Sequence, residues 1–366
     1  MANTKKWDGL VIRTSGGEKD EIPRKVTAGS PDVICAGKEP SSNPDQYTDS
    51  KNYGNGYSNQ IFENISNYFY IRAKNYHAGP VTAYLHTYWA PSNLILIPSL
   101  WEKNYMKTSS GAEGVKVQAD KENDIVANTE DAFTWVPTPP QAGTHYCIMA
   151  QASTSMDPSE GIPADNFESA AKWADWLAQR GNWGWRNTVY ISSDRPDLTE
   201  TTHHHIVIPG KKGDPYNLYN LYIKCTQVPK GWSFQFTSGT RIPPNPDTQH
   251  QNPVNTLSKT KTNVTDPNDN IGAHWYLPPQ FNTNISVSVW FNGIPPQKGT
   301  KWQLKINQVS DDPSLSIYEH GADIMEHNDP HPRVMEWKEH NLKALQDDMP
   351  IGKEVEVGNI NFELKA

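Results

Sequence analysis

Histidine is the side chain best suited to chemistry in this sequence, and it recurs in two clusters. His203-His204-His205 places His203 and His205 on one face of an extended strand, a spacing at which two imidazoles can reach one metal ion. No carboxylate lies at ligand spacing, and a histidine run on an exposed strand or loop explains the pattern equally well. The second cluster is EHGADIMEHNDPHPR near the C-terminus, with His320, His327, Asp329 and His331, followed by His340. There His327, Asp329 and His331 bring nitrogen and oxygen donors close together and are the candidate metal ligands. The prolines forbid a regular helix of the HExxH kind, so a polar loop is the competing reading.

Other routes to catalysis find little support. There is no G-x-S-x-G, no phosphate-binding P-loop, no dinucleotide G-x-G-x-x-G and no EF-hand loop. The 3 cysteines, Cys35, Cys147 and Cys225, are too widely spaced for a disulfide scaffold or a Cys-rich zinc site. Cys147 (in HYCIMAQ) and Cys225 end up in apolar strands and read as inert core thiols. Cys35 closes a strand and reads as an exposable thiol with nothing nearby to activate it. The carboxylate pairs Asp311-Asp312 and Asp347-Asp348 are adjacent in sequence and point apart or into water, which does not suit general acid–base work. No catalytic residue and no cofactor is therefore expected.

The aromatic residues carry two readings. Trp183, Trp185, Tyr216, Tyr219, Tyr222, Trp275 and Tyr276 could stack on sugar rings, or they could fill sandwich cores. Of these, Trp183, Trp185, Tyr216, Tyr219 and Trp275 are the candidate ligand-binding residues, and carbohydrate is the ligand they would take.

Charge is distributed unevenly. The net charge is −8, and residues 311–366 hold thirteen acids and five bases, which accounts for all of it. The preceding body is neutral, so sequence-independent nucleic-acid binding, which needs clustered Lys and Arg, is not expected. An acidic extension is either a solvated face or a docking segment for a basic protein partner. No apolar stretch approaches the length of a membrane helix. The N-terminus shows no apolar core of a Sec signal, so residence in the cytoplasm or export by a non-Sec route is the expectation.

The elements that must position these residues are mostly strands. Phe69, Ile71 and Ala73 alternate with Tyr68, Tyr70 and Arg72, and Val81, Ala83, Leu85, Thr87 and Trp89 share one face of the next strand. Residues 103–130 read as a polar excursion. Phe133–Val136 and His145–Gln151 supply two further strands. One helix is predicted near 166–179: Asp165 and Glu168 form a capping box, and Phe167, Ala170, Ala171, Ala174, Leu177 and Ala178 share a face. Strands return at 187–192, 203–208 and 216–225. Trp232, Phe234 and Phe236 alternate, and 285–291 and 302–306 follow. Residues 240–270 are rich in Pro, Asn and Thr and read as a long loop. The terminal EVEVGNINFEL reads as a last strand or hairpin bulged at Gly358.

Several of these stretches resemble the tandem Ig-like, CARDB-type modules of bacterial secreted and surface proteins. Ser30-Pro31-Asp32-Val33 is similar to the family's opening strand, Asn67–Asn75 (NYFYIRAKN) to a second, and Tyr88-Trp89-Ala90-Pro91 with Trp101 to its YWAP…W segment. Trp135-Val-Pro, His145–Gln151 and Asp157-Pro158 resemble the end of the first module. Trp185-Arg186-Asn187 and Leu221–Trp232 resemble parts of the second. The resemblance implies an adhesion, stalk or accessory role without a catalytic set.

The expectation is an all-β protein of two Ig-like β-sandwich domains joined by a short helix, with an acidic C-terminal extension. Its divisions would be an N-terminal arm (1–29), a first sandwich (30–160), a helical linker (161–186), a second sandwich (187–310) and the extension (311–366). Such a protein would be a non-enzymatic interaction or adhesion protein of bacterial type, toxin-associated or part of a secretion apparatus. The alternatives are a metal-dependent hydrolase or toxin using the C-terminal histidines, and a pair of carbohydrate-binding modules.

Overall fold

Period-two burial, in which alternate side chains face a core, marks strands such as Val115–Ala119, Thr199–Val207 and Asn282–Trp290, while Tyr146–Ser153 is buried on both faces. The computed structural model describes residues 4–24, 28–91, 93–138, 145–164, 167–192, 199–247, 252, 254–310 and 353–365. The protein is all-β, with antiparallel sheets and a single described α-helix. It divides into two compact units, residues 1–92, 96–165 and 176–188 in the first, and 93–95, 166–175 and 189–366 in the second.

The first unit contains β1 (Lys5–Lys6), β2 (Leu10–Val11), β3 (Glu21–Ile22), β4 (Val33–Gly37), β5 (Asn67–Asn75), β6 (Val81–Pro91), β7 (Lys107–Thr108), β8 (Val115–Ala119), β9 (Ile125–Ala127), β10 (Phe133–Trp135), β11 (Tyr146–Ser153) and β12 (Trp183–Arg186). β1 and β3 form a two-stranded sheet; of the two larger sheets, one runs β2-β5-β10-β7, with β4 and β9 also paired to β5, and the other runs β12-β11-β6-β8. Their facing sides share a core of Phe69, Ile71 and Ala73 from β5, Ala83 and Leu85 from β6, and Ile148 and Ala150 from β11. The expected faces of β5 and β6 supply this core, and Tyr70 and Arg72 of β5 and His86 and Tyr88 of β6, on the opposite faces, are buried as well.

Three expectations change here. The N-terminal arm is part of the unit: β2 pairs with β5, and Leu10, Val11 and Ile12 are buried. The polar excursion contains β7, β8 and β9; in β8, Val117 and Ala119 face the core while Lys116 and Gln118 face solvent, so outward charges hid the alternation. The helical linker is confined to α1 (Ala170–Ala178), because Trp183–Arg186 pairs with β11 as β12. Asp165 of the expected capping box lies outside the described residues.

A buried ion cluster without a local sequence signature centres on Asp32. Asp32 accepts hydrogen bonds from the Arg13 backbone N–H (2.9 Å), Arg13 Nε (2.9 Å), Arg13 Nη2 (2.6 Å) and Arg72 Nε (2.8 Å). The Arg13 guanidinium lies 3.6 Å from the centroid of the Tyr53 ring. Burial alone would lower the Arg13 pKa, but the hydrogen bond and charge of Asp32 raise it above the ordinary arginine value.

The second unit contains β13 (Thr188–Ser192, all but its first residue), β14 (Thr199–Val207), β15 (Asn217–Thr226), β16 (Ser233–Ser238), β17 (Lys259–Asn263), β18 (Asn270–Leu277), β19 (Asn282–Trp290), β20 (Lys301–Ser310) and β21 (Lys353–Lys365). Its sheets run β13-β21-β20-β15-β18 and β14-β19-β16-β17. Aromatic contacts link the two sheets: Trp232, just before β16, and Phe234 of β16 lie 5.8 and 5.7 Å from Trp302 of β20, and Phe236 lies 5.9 Å from Trp275 of β18.

Two corrections concern this unit. The 240–270 loop includes β17, which pairs with β16. It is short and polar, with Lys259 and Lys261, a composition suited to an edge. The C-terminal extension ends in β21, an internal strand between β13 and β20. Its bulge falls at Val357, one residue before the predicted Gly358, since Asn307 pairs with Glu356 and Ile306 with Gly358. Gly358 has a steric role: a Cβ there would stand 1.9 Å from the Leu94 carbonyl oxygen. Facing away from the aromatic core, the buried Glu354 carboxylate accepts from Asn307 Nδ2 (2.7 Å) and Asn220 Nδ2 (3.2 Å). Lys305 pairs with Glu356 at 2.5 Å.

Candidate functional site

Three stretches of the second unit line a half-open cavity of about 1050 Å³: residues 212–216, residues 240–247, and residues 276–282 around the turn between β18 and β19. All three are rich in proline or glycine, which fits turns that cannot continue a strand.

Hydrogen bonds hold each wall in place. Asp214 closes a turn, its carboxylate accepting from the Lys211 N–H at 3.0 Å and its own N–H donating to the Lys211 carbonyl at 3.1 Å. The Tyr216 hydroxyl donates to the Pro244 carbonyl at 3.2 Å and ties the first wall to the second. Asn245 Oδ1 accepts from the Asp247 N–H at 3.1 Å. The Asn252 side chain acts as a strand partner for Tyr276, accepting from its N–H (2.6 Å) and donating to its carbonyl (2.9 Å). The third wall is fixed by Gln280 N–H to Ile208 O (2.8 Å) and Ile208 N–H to Phe281 O (2.9 Å). Gly210, at φ +120°, allows this turn to approach; a Cβ there would lie 2.9 Å from Pro279 Cβ.

The lining combines rings and charges. Tyr216, Tyr276 and Phe281 stand among Pro215, Pro243, Pro246, Pro278 and Pro279. Asp214 and Asp247 supply carboxylates, and Lys212 and Arg241 supply cations. Lys212 and Arg241 are exposed, and neither forms an ion pair among the described residues. Partial burial raises the Tyr216 phenol pKa above its ordinary value, so its hydroxyl stays a donor at neutral pH.

The predicted ligand-binding residues therefore separate. Tyr216 lines the cavity, and so does Tyr276. Trp183 and Trp185 are buried in the first unit, at 1% and 2% exposure, and Tyr219 and Trp275 are buried in the second at 0% and 1%. Those four cannot present a ring to a sugar. Trp183 instead packs 5.5 Å from Trp101 and 5.9 Å from Trp176. Arg241, Asp214 and Asp247 were not singled out from the sequence. The turn signatures KKGDPY and TRIPPNPD that contain them were the available signal.

The chemistry sought from histidine and cysteine is arranged differently. His203 and His205 of β14 each pair with a separate partner on β19, His203 Nδ1 with Ser286 Oγ at 2.8 Å and His205 Nδ1 with Asn284 Oδ1 at 2.7 Å. His204 is buried, 2.8 Å from Thr202 Oγ1. Among the described residues no group of three or more His, Cys, Asp or Glu side chains could hold a metal ion. His327, Asp329 and His331 lie outside the described residues. None of the three cysteines is in a disulfide and all are buried, including Cys35, which the sequence placed at an exposable strand end. Burial pushes the Cys35 thiol up to about 12 and raises the Cys225 thiol as well, the opposite of activation. Among the described residues no helix is long and apolar enough to cross a membrane.

No family model matches the chain, and no curated protein does. Among solved structures, the chain is similar to the CupB6 tip adhesin from Pseudomonas aeruginosa, with 7% identity over 82% of this chain and 88% of that chain and a TM-score of 0.18.

Proposed function

We propose that this chain is a non-enzymatic recognition protein of bacterial adhesion type, built of tandem CARDB-type modules, and that it makes its contact through the cavity of the second unit. The observation that carries this reading is the lining of that cavity. The Tyr216 ring and the cations Lys212 and Arg241, neither of which forms an ion pair among the described residues, stand on turns that are hydrogen-bonded in place, an arrangement that suits holding a ligand. The loops that form it lie at strand ends, where a sandwich scaffold can present binding residues without disturbing its core. Residues 311–352, with ten acids against three bases, would give a basic protein partner a second point of contact.

The test is a screen of the full chain against an array of glycans and peptides, with Tyr216→Ala in parallel. A discrete set of ligands is expected, bound about tenfold more weakly by the variant, as for loss of an interface tyrosine worth about 1.4 kcal/mol. The recovered ligands should be chemically unchanged. A ligand consumed during incubation, or binding indifferent to Tyr216→Ala, would overturn the proposal.

A further inference from the structure

We infer that Lys305 and Asn359 join through an amide bond between their side chains, a covalent cross-link of β20 to β21 formed with loss of ammonia, with Glu356 carrying the protons. Such a bond modifies the chain itself and is independent of what the cavity binds.

The backbone sets up the encounter. Lys305 of β20 and Asn359 of β21 are direct partners across the sheet. In a regular strand Glu356 and Asn359, three residues apart, would point to opposite faces. The bulge at Val357 inserts one residue, since Asn307 pairs with Glu356 and Ile306 with Gly358. It thereby brings both side chains to the face that Lys305 occupies.

One carboxylate then holds both reactants. Glu356 Oε2 lies 2.5 Å from Lys305 Nζ, and Glu356 Oε1 accepts a hydrogen bond from Asn359 Nδ2. Two nitrogens bonded to the same carboxylate are close neighbours, so the amine and the Asn359 amide are held side by side. The reaction asks for that proximity, and does not require that either nitrogen lack other neighbours.

Burial favours the reaction. Lys305 and Asn359 are 4% and 1% exposed, and the Tyr222 ring, 5.7 Å from Lys305 Nζ, is buried beside them. An ammonium and a carboxylate taken out of water keep a desolvation cost that their attraction only partly returns. Proton transfer between them removes both charges and leaves a neutral amine, the nucleophilic form of lysine.

The atoms balance without a co-reactant. Glu356 takes one proton from the Lys305 ammonium. The Nζ lone pair attacks Asn359 Cγ and forms the new C–N bond. The tetrahedral centre collapses by breaking the Cγ–Nδ2 bond, whose nitrogen takes the proton from the carboxyl group that already touches it. Glu356 receives the surplus Nζ proton in exchange. One ammonia departs, one secondary amide remains, and the Glu356 carboxyl is left neutral.

Intact-mass measurement of the full chain, followed by tryptic mapping, tests the inference. The expected mass lies one ammonia below that of the sequence. Trypsin should pass over the acylated Lys305 and yield a branched peptide joining the β20 and β21 segments. Glu356→Gln and Lys305→Arg should each restore the lost mass and release the two peptides unbranched. The full sequence mass in the unaltered chain overturns the inference, whether or not any variant folds. Ammonia loss without the branched peptide, as succinimide formation at Asn55-Gly56 or Asn292-Gly293 would give, overturns it too. A branched peptide that persists in Glu356→Gln overturns the role of Glu356 as proton carrier.

Discussion

A chain ending at residue 352 is expected to lose the second unit altogether. Such a truncation removes β21, whose Val355, Val357, Ile360 and Phe362 are all buried. At about 1.5–3 kcal/mol for each large apolar side chain, their loss amounts to roughly 6–12 kcal/mol, comparable to the entire stability of an ordinary domain. Phe362 stacks on Trp302 at 5.6 Å and meets His204 at 5.7 Å, so its removal opens the core on both sheets. Asn307 and Asn220 lose the Glu354 carboxylate, and β20 loses the partner along one whole side. A row of bare N–H and C=O groups beside exposed apolar side chains promotes aggregation. Amide hydrogen exchange checks this: β15 and β20 should exchange freely in the truncated chain, while β5 and β6 of the first unit stay protected. Native-like protection in β15 would show that β21 is dispensable. The acidic C-terminal extension therefore cannot be deleted as a whole to probe a partner.

Asp32→Ala is expected to be the most destabilising single substitution in the first unit. The carboxylate is fully buried and accepts four hydrogen bonds from Arg13 and Arg72. Removing it leaves two buried guanidinium groups without the carboxylate that both of them bond. Breaking a buried ion pair from one side costs about 3–5 kcal/mol, because the surviving charge keeps its desolvation penalty. Tyr53 shares Arg13 and offers a ring face in place of an anion, which compensates only in part. Urea unfolding followed by exchange of the β5 amides should show the loss. A change below about 0.5 kcal/mol, the range of ordinary surface substitutions, would show that the cluster contributes little.

What could be read from the sequence follows the distance over which the physics acts. Alternation in β5, β6 and β16 is local, and Phe69, Leu85 and Phe234 are buried as their faces predict, whereas the burial of Arg72 and Tyr88 on the opposite faces depends on distant segments. In β8 the same alternation was present, but Lys116 and Gln118 on the outward side made the segment look like a loop. The place of β21 in its sheet depends on pairing with β20 across residues 311–352, and no local pattern encodes such a register. The Asp32 cluster joins positions 13, 32, 53 and 72, each unremarkable alone. The same reasoning explains the site. Tyr216 and Tyr276 could be named as aromatic candidates, but burial that separates them from Trp183, Trp185, Tyr219 and Trp275 is decided by tertiary packing. Arg241 escaped notice because it lies in a stretch with little apolar content, where turns and prolines shape the cavity.

Recognition through the cavity of the second unit is the central claim, and amide hydrogen exchange of the full chain, with and without its strongest ligand from the array, tests it most directly. Protection is predicted at 211–214, 240–242 and 280–282, the walls of the cavity, with the first unit unchanged. Protection confined to other segments, or none at saturating ligand, would contradict it.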